Sequence, residues 1–200
     1  MAIAHTMEEE DGNGHGGEDL DLEVVVPKDV QAVMNAAEEG DAEALTIALE
    51  NLKDGVDCEG EDGDRPLHIA CLYGHLSCVQ ILLTAGANIE VRDEDGALPL
   101  HDACAGGYKD IVNMLIHAAN SPGQLKRVLD SFDIDGDTPL HHAARGNHSD
   151  VVQMLLDSGA NPKIINLIGQ RPADLADPSS PSQILLNDAV KKLNDGTSEA

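Results

Sequence analysis

The chain has 200 residues, of which 37 are acidic and 12 are Lys or Arg, so its formal net charge is −25. A chain this acidic repels nucleic-acid phosphates and anionic membrane surfaces, so we expect no direct binding to either. Hydrophobic residues make up 42% of the chain, which is enough for one continuous core. No apolar run reaches the ~20 residues that a membrane span needs.

The N-terminal segment lacks the features of a targeting sequence. It has no Lys or Arg before Lys28 and no long apolar stretch, so we expect neither a secretory signal nor a transit peptide. We therefore expect the chain in the cytoplasm, the nucleus or both. In those compartments the four cysteines are expected to be free thiols, with Cys58 the most exposed of them.

The acidic residues are concentrated in the first half of the chain. Residues 1–100 hold 24 acidic and 4 basic residues, whereas residues 101–200 hold 13 and 8. Residues 1–28 are acidic, rich in Gly and poor in core-forming side chains, which predicts a disordered tail. Residues 195–200 are predicted to form a second, short disordered tail.

A motif recurs between the two predicted tails. Its copies, taken in chain order, define the predicted structural elements. The segments GDRPLHIACLYGH, GALPLHDACAGGY and GDTPLHHAARGNH occupy 63–75, 96–108 and 136–148, and GQRPADLAD at 169–177 is a shorter match. Their prolines are spaced by 33, 40 and 33 residues. A second block, such as LSCVQILLTAGAN, follows each full match. Self-similarity at this period predicts stacked structural repeats.

Each motif has the residue types of a short helix and its ends. The prolines suit the first helical turn, where no N–H donor is needed. Alanines four residues later allow close helix packing, and Gly74, Gly107 and Asn147 suit a left-handed helix end. A second helix follows with apolar spacing, and Asp95-Gly96 and Asp135-Gly136 then predict projecting turns.

These two blocks resemble the ankyrin repeat, which recurs about every 33 residues. The resemblance implies an all-α fold, an ankyrin-repeat solenoid of helix-turn-helix units with projecting β-turn loops. We predict this domain over 29–194. Its predicted units lie at about 29–61, 62–94, 95–134, 135–167 and 168–194, and the first and last are the atypical caps. Ser182 is predicted to cap a closing amphipathic helix.

Two features depart from the family pattern. The third unit is seven residues longer than its neighbours, and Ser121 followed by Pro122 predicts a capped extra helix there. The motif threonine is present only as Thr138. Because the resemblance implies that this hydroxyl bonds the motif histidine, the second and third units lack that bond.

The sequence predicts no catalytic, metal or cofactor site. His68, His101 and His141 recur at the repeat period, and the resemblance implies that they brace the backbone. The acidic segment 133–138 lacks the Gly and Glu positions of an EF-hand loop. We find no phosphate-cradling loop, nucleophile elbow or pair of catalytic carboxylates.

The remaining candidate site is the surface made by the loop tips and the exposed side of each first helix, where the resemblance implies that partners bind. The variable positions there are Glu61, Asp62, Asp64, Leu72, Tyr73, Arg92, Glu94, Asp95, Asp102, Ile134, Asp135, Asp137, His142 and Arg145. They form an acidic rim beside a small apolar centre. Tyr73, their only aromatic residue, is the predicted hot spot.

The leading prediction is a non-catalytic, monomeric protein–protein interaction module. Its acidic rim favours a partner segment rich in Lys and Arg, bound on the concave loop-and-helix face. A first alternative is a regulatory or scaffold subunit that uses an apolar patch around Leu72 and Tyr73. A second is an escort chaperone for a basic ribosomal protein or histone. The acidic residues also have a simpler explanation, which is solubility.

Overall fold

The computed structural model describes residues 26–53, 55–60, 63–119 and 121–195. Within these ranges the chain forms helices and turns and has no β-strand, as predicted. The helices are α1 (Lys28–Glu39), α2 (Ala42–Asn51), α3 (Pro66–Leu72), α4 (Leu76–Thr84), α5 (Pro99–Ala105), α6 (Lys109–Ala118), α7 (Pro122–Leu129), α8 (Pro139–Arg145), α9 (Ser149–Asp157), α10 (Pro172–Leu175) and α11 (Pro181–Asp195). None of these helices has the length and apolar character to cross a membrane.

The two predicted tails lie almost wholly outside the described residues. Helix α1 begins at Lys28, and α11 ends at Asp195, which is the last residue described. The disorder expected for 1–28 and 195–200 therefore stays a prediction.

The helices stack in two layers. Helices α1, α3, α5, α8 and α10 form one layer, in which each contacts the next, and α2, α4, α6, α9 and α11 form the other. The two members of each successive pair also contact each other across the layers. Since one pair cannot cover its own apolar face, stacking of neighbouring pairs provides the core.

Small residues let the helices of the first layer approach closely. Ala70, Ala103 and Ala143 are fully buried in α3, α5 and α8, as predicted. None of the four cysteines is in a disulfide within the described residues, and all are buried. Cys58 is 5% exposed against 0% for the other three, so it is the most exposed thiol but is still inside the core.

The predicted helix ends are confirmed. Pro66, Pro99 and Pro139 each occupy the first position of a helix. Gly74 and Gly107 follow α3 and α5 with φ of +76° and +71°. Asn147 takes the same place after α8 with φ of +54°, a conformation that asparagine tolerates better than most residues.

The motif histidines brace the backbone in all three full units, including the two without threonine. Nδ1 of His68, His101 and His141 accepts the N–H of the residue three positions earlier, at 3.2, 2.9 and 3.1 Å. In each ring Nε2 faces a carbonyl oxygen about 30 residues later, for example Ala97 O at 3.3 Å. Thr138 Oγ1 adds a contact of 2.8 Å to His141 Nδ1. The backbone N–H therefore supplies the brace, and the threonine hydroxyl only supplements it.

The longer third unit contains α7, as predicted. Ser121 Oγ accepts the N–H of Gln124 at 3.2 Å, and Pro122 begins the helix. Val128 and Leu129 are buried against the core. Arg127 donates from Nε to Glu90 Oε1 at 2.9 Å, which ties the insertion to the preceding loop.

The closing helix starts earlier in the chain than predicted. Ser180 Oγ accepts the N–H of Gln183 at 3.2 Å, and Pro181 takes the first helical position. Ser182 is inside α11 and fully buried, so the prediction that it caps the helix is wrong. A proline at the first helical position directly after a serine supports Ser180 as the cap.

Candidate partner-binding surface

The projecting turns share one internal design. The first residue of each turn accepts backbone N–H groups of later residues: Asp93 Oδ1 bonds Ala97 N, Asp133 Oδ1 bonds Asp137 N, and Asn166 Oδ1 bonds Gln170 N, at 2.8, 2.9 and 2.8 Å. An aspartate or asparagine is suited to this because its short side chain reaches its own following backbone. The carboxylates of Asp93 and Asp133 thus hold the turns.

Neighbouring turns are joined into one row. Ile134 N–H donates to Asp95 O at 2.8 Å, and Leu167 N–H donates to Asp135 O at 2.9 Å. At the earlier end of the row, a Cβ on Gly63 would lie 3.2 Å from Glu94 N. The turns therefore present a single continuous surface in which each is positioned by the one before.

The structure separates the fourteen candidate residues by exposure. Glu61 and Asp62 lie outside the described residues. The exposed candidates are Leu72, Tyr73, Arg92, Glu94, Asp95, Ile134, Asp135 and Arg145, and the half-buried ones are Asp64, Asp102 and His142. Asp137 is only 1% exposed. The turn tips are thus accessible, whereas Asp137 is not.

Asp137 is a structural carboxylate between units. It accepts hydrogen bonds from Arg145 Nη2 and, at 2.8 Å, from Asn166 Nδ2. Burial alone would raise the pKa of Asp137, but these two donors outweigh it and lower the pKa below its ordinary value. Asp137 therefore joins α8 to the turn of the next unit, and its side chain is not available to a partner. The Arg145 guanidinium is held by the same ion pair.

Two further candidates hold the turns in place. Arg92 donates to Phe132 O at 2.9 Å, to Ser131 Oγ and to Gly96 O. His142 Nε2 lies 2.8 Å from Asp133 Oδ2, and its ring meets that of His101 edge to face at 5.6 Å. Both side chains are committed to contacts within the protein, so their variation between units reflects stacking.

Asp102 on α5 is a carboxylate at odds with its surroundings. Its Oδ2 is buried and accepts no hydrogen bond from the described residues. Burial, with smaller contributions from the negative charges of Asp93 and Asp64, raises the pKa of Asp102 to about 8. We call Asp64, Asp93 and Asp102 the acidic pocket. A positive charge placed among these three carboxylates would be stabilised.

His68 lies beside two residues of the acidic pocket. It groups with Asp93 and Asp102, with one potential ligand atom from each lying within 4.8 Å of the others. Both ring nitrogens of His68 already make backbone contacts. Metal binding would break the brace that positions α3.

The effect of Asp102→Asn on the free energy of unfolding tests the acidic pocket. Because the folded-state pKa of Asp102 is raised, the folded chain binds the proton more tightly than the unfolded chain, and stability falls as pH rises from about 4 to about 8. We expect Asp102→Asn to increase the free energy of unfolding at pH 8 by more than ~1 kcal/mol, and to change it little at pH 4. Urea denaturation followed by circular dichroism measures both values.

The exposed Asp110→Asn serves as the control and is expected to stay within about 0.5 kcal/mol at either pH. A loss of stability in Asp102→Asn at both pH values would contradict the argument, because it would mean that the carboxylate has a stabilising partner.

Leu72 and Tyr73 form an apolar patch at the end of α3. They are 47% and 48% exposed. Tyr73 Oη donates to Glu38 Oε1 at 3.3 Å, and its ring stacks on that of His75 with 6.2 Å between centroids. The tyrosine is thus held in one orientation with part of its ring open to solvent.

Sequence reasoning missed the turn over residues 165–169. Ile165, Leu167 and Ile168 are among the most exposed large apolar side chains of the described residues. Aligning Asn166-Leu-Ile-Gly with Asp133-Ile-Asp-Gly would have shown apolar residues at the tip positions.

Comparison with known families agrees with this architecture. A family model described as ankyrin repeats in three copies matches residues 33–125, and one described as an ankyrin repeat matches residues 135–167. A search of curated proteins found no relative that matches the chain. Two layers of short helices with projecting turns, and matches over more than half of the chain, lead to one conclusion: this protein belongs to the ankyrin-repeat family.

Proposed function

We propose that this chain binds a Lys- or Arg-rich segment of another protein, with the segment lying on the turn tips and the acidic pocket. Ankyrin repeats are in general protein–protein interaction modules and are typically non-catalytic. The partner's charge is the finer part of the proposal. One specific form of this proposal is that the chain escorts a basic ribosomal protein or histone.

The observation that carries the proposal is the unsatisfied carboxylate of Asp102. A buried carboxylate that accepts no hydrogen bond at Oδ2 from the described residues, and that has two acidic neighbours, costs stability. An ammonium or guanidinium group placed beside Asp102 would donate to its Oδ2 and favour the ionised form. The cost in the unbound protein is thereby offset in the complex.

The exposed tip residues extend this charge along the surface. Glu94, Asp95 and Asp135 are all exposed, and the chain as a whole carries −25. Negative charges gathered on one face raise the association rate of a cationic partner. Added salt screens this attraction, because the Debye length is only ~10 Å at 0.1 M. Binding is expected to weaken steeply as salt is added.

Affinity capture at low and high salt tests the proposal. The wild-type chain and the Glu94→Lys/Asp95→Lys variant are used as baits, and captured proteins are identified by mass spectrometry. We expect wild type to retain proteins with Lys/Arg-rich segments at low salt and to release them at high salt, while the variant fails to retain them. Equal capture by both baits at both salt concentrations would contradict a basic partner.

The apolar patch of Leu72 and Tyr73 supports a second candidate, a regulatory or scaffold subunit. Tyrosine is enriched in binding hot spots, and Tyr73 is held in place with about half of its surface open.

The two candidate functions predict opposite results for the variants Tyr73→Ala and Glu94→Lys/Asp95→Lys. If the apolar patch dominates, Tyr73→Ala should weaken partner binding by more than ~2 kcal/mol, and Glu94→Lys/Asp95→Lys should have little effect. If the basic-segment proposal is right, the charge reversal has the larger effect and Tyr73→Ala the smaller. Titration calorimetry with the captured partner measures both.

A further inference from the structure

The tips of the three described turns change character along the row. Each tip consists of the two residues before a glycine with positive φ: Glu94 and Asp95 before Gly96, Ile134 and Asp135 before Gly136, and Leu167 and Ile168 before Gly169. The pairs therefore run from two acids, through one apolar residue and one acid, to two apolar residues. The surface is graded from charged to apolar.

The apolar end of this gradient is unusually open to solvent. Leu167 and Ile168 are each 78% exposed, the highest values among the large apolar side chains described, and Ile134 beside them is 61% exposed. Contiguous exposed apolar side chains mark interaction sites more often than isolated ones do. The two residues are also held in place, because Asn166 Oδ1 organises the turn and Leu167 N–H donates to Asp135 O.

Because hydrogen bonds join the turns, the charged and apolar tips lie at set separations. Stacked helices are ~8–10 Å apart, so two repeat steps separate the first tip from the last by ~20 Å. An extended chain spans that distance with about six residues at ~3.3 Å each. One short segment can therefore contact both ends of the row.

Charge decides which kind of segment covers the apolar tip. A second copy of this chain also carries −25 and would be repelled. The chain's own residues 1–25 hold eight acidic residues and no Lys or Arg, so Asp135 and Asp133 next to the tip would repel them as well. A segment of another protein that combines apolar side chains with Lys or Arg is complementary to the whole row.

We propose that the Ile165–Gly169 turn is the apolar anchor of the partner-binding surface, and that it takes the apolar end of an extended segment whose Lys or Arg residues lie on the acidic tips about six residues away. This inference rests on the proposed function, since it gives the basic segment an apolar end and a direction along the row. The acidic tips provide charge attraction, and Leu167 and Ile168 provide apolar burial that salt does not screen.

Two synthetic peptides of one composition test the inference by fluorescence anisotropy. The graded peptide has Leu-Ile at one end and Lys-Arg about six residues away, matching the ~3.3 Å rise of an extended chain. The mixed peptide distributes the same four residues at random. We expect the full chain to bind the graded peptide about tenfold more tightly than the mixed one, whichever chain direction the graded peptide is made in.

Matched variants of the full chain separate the two ends of the surface. Leu167→Ser/Ile168→Ser should weaken binding of the graded peptide about tenfold and leave its salt dependence unchanged. Glu94→Lys/Asp95→Lys should weaken it and reduce the salt dependence. Ile184→Ser, which removes an exposed apolar residue from α11, is the control and should bind like wild type.

The outcomes distinguish failure of the inference from failure of the proposed function. Equal affinity for the two peptides, or no effect of Leu167→Ser/Ile168→Ser while the charge reversal abolishes binding, overturns the inference and leaves the proposed function standing. Binding that neither salt nor charge reversal weakens overturns both. A wild-type dimer that Leu167→Ser/Ile168→Ser converts to a monomer in sedimentation also overturns the inference, because a second copy would then cover the turn.

Discussion

Replacing Gly136 by alanine is expected to lower the free energy of unfolding by about 3 kcal/mol. Gly136 has φ of +77°, a left-handed conformation that costs an L-residue ~1–2 kcal/mol. A Cβ there would lie 2.8 Å from Leu167 N and 3.2 Å from Asn166 Cα, so it meets backbone that cannot move aside. Overpacking of this kind adds ~1–3 kcal/mol. Urea denaturation followed by circular dichroism measures the loss.

Gly169 provides the matched control for this substitution. It occupies the same turn position in the next unit with φ of +80°, but no atom of the described residues lies within 4 Å of a Cβ built on it. Gly169→Ala should therefore lower the free energy of unfolding only by the conformational cost, ~1–2 kcal/mol. Equal losses in the two variants would contradict the argument, because the backbone of the next turn would then have moved aside for the added Cβ.

The second large expected effect is loss of stability in acid through His101. Burial, together with the neighbouring His142, lowers the pKa of His101 to about 4. Between pH 6.5 and 4 the unfolded chain therefore binds more protons than the folded chain, so stability is fully present above pH 6.5 and is lost as the pH falls. A shift of this size corresponds to about 3 kcal/mol lost by pH 4.

Asp102 changes the folding stability in the opposite direction over part of this pH range. The effect of His101 is therefore measured after Asp102 has been replaced. The raised pKa of Asp102 makes the folded chain more stable as pH falls from 8 towards 4, which partly masks the histidine. In an Asp102→Asn background, the acid loss of stability should appear without this offset. Adding His101→Gln should make the loss smaller and leave the part due to His68 and His141, whose pKa values burial also lowers. NMR titration should find the His101 ring neutral down to about pH 4. A ring that titrates near 6.5 would contradict the argument.

Features within one repeat were predictable because they depend on neighbours in the sequence. Pro99 at a helix start, Gly107 at a left-handed end and Ser121 capping α7 each follow from backbone requirements within a few residues. The histidine brace belongs here too, since its Nδ1 bond spans three residues. The period of these features predicted stacked repeats, and the resemblance to the ankyrin repeat implied that they are all-α.

Features between repeats were not predictable from one unit. Asp137 looked like a variable tip residue, yet it is buried because Asn166 of the next unit and Arg145 close over it. Arg92 was a candidate partner-binding residue, yet it bonds Phe132 O 40 residues away. These contacts exist only because adjacent units stack in one register.

The sequence by itself determined the repeat, its helices, its acidic character and the positions from which side chains project, because short-range backbone and burial preferences recur in each unit. Tertiary structure alone decided which of those side chains are free. Stacking commits Arg92, Asp137 and His142 to neighbours and brings Leu167 and Ile168 to the end of the row of turns. It also buries Asp102 Oδ2, to which no described residue donates a hydrogen bond. The physical reason is that partners about 30 residues apart compete for the same polar groups that a binding partner would use.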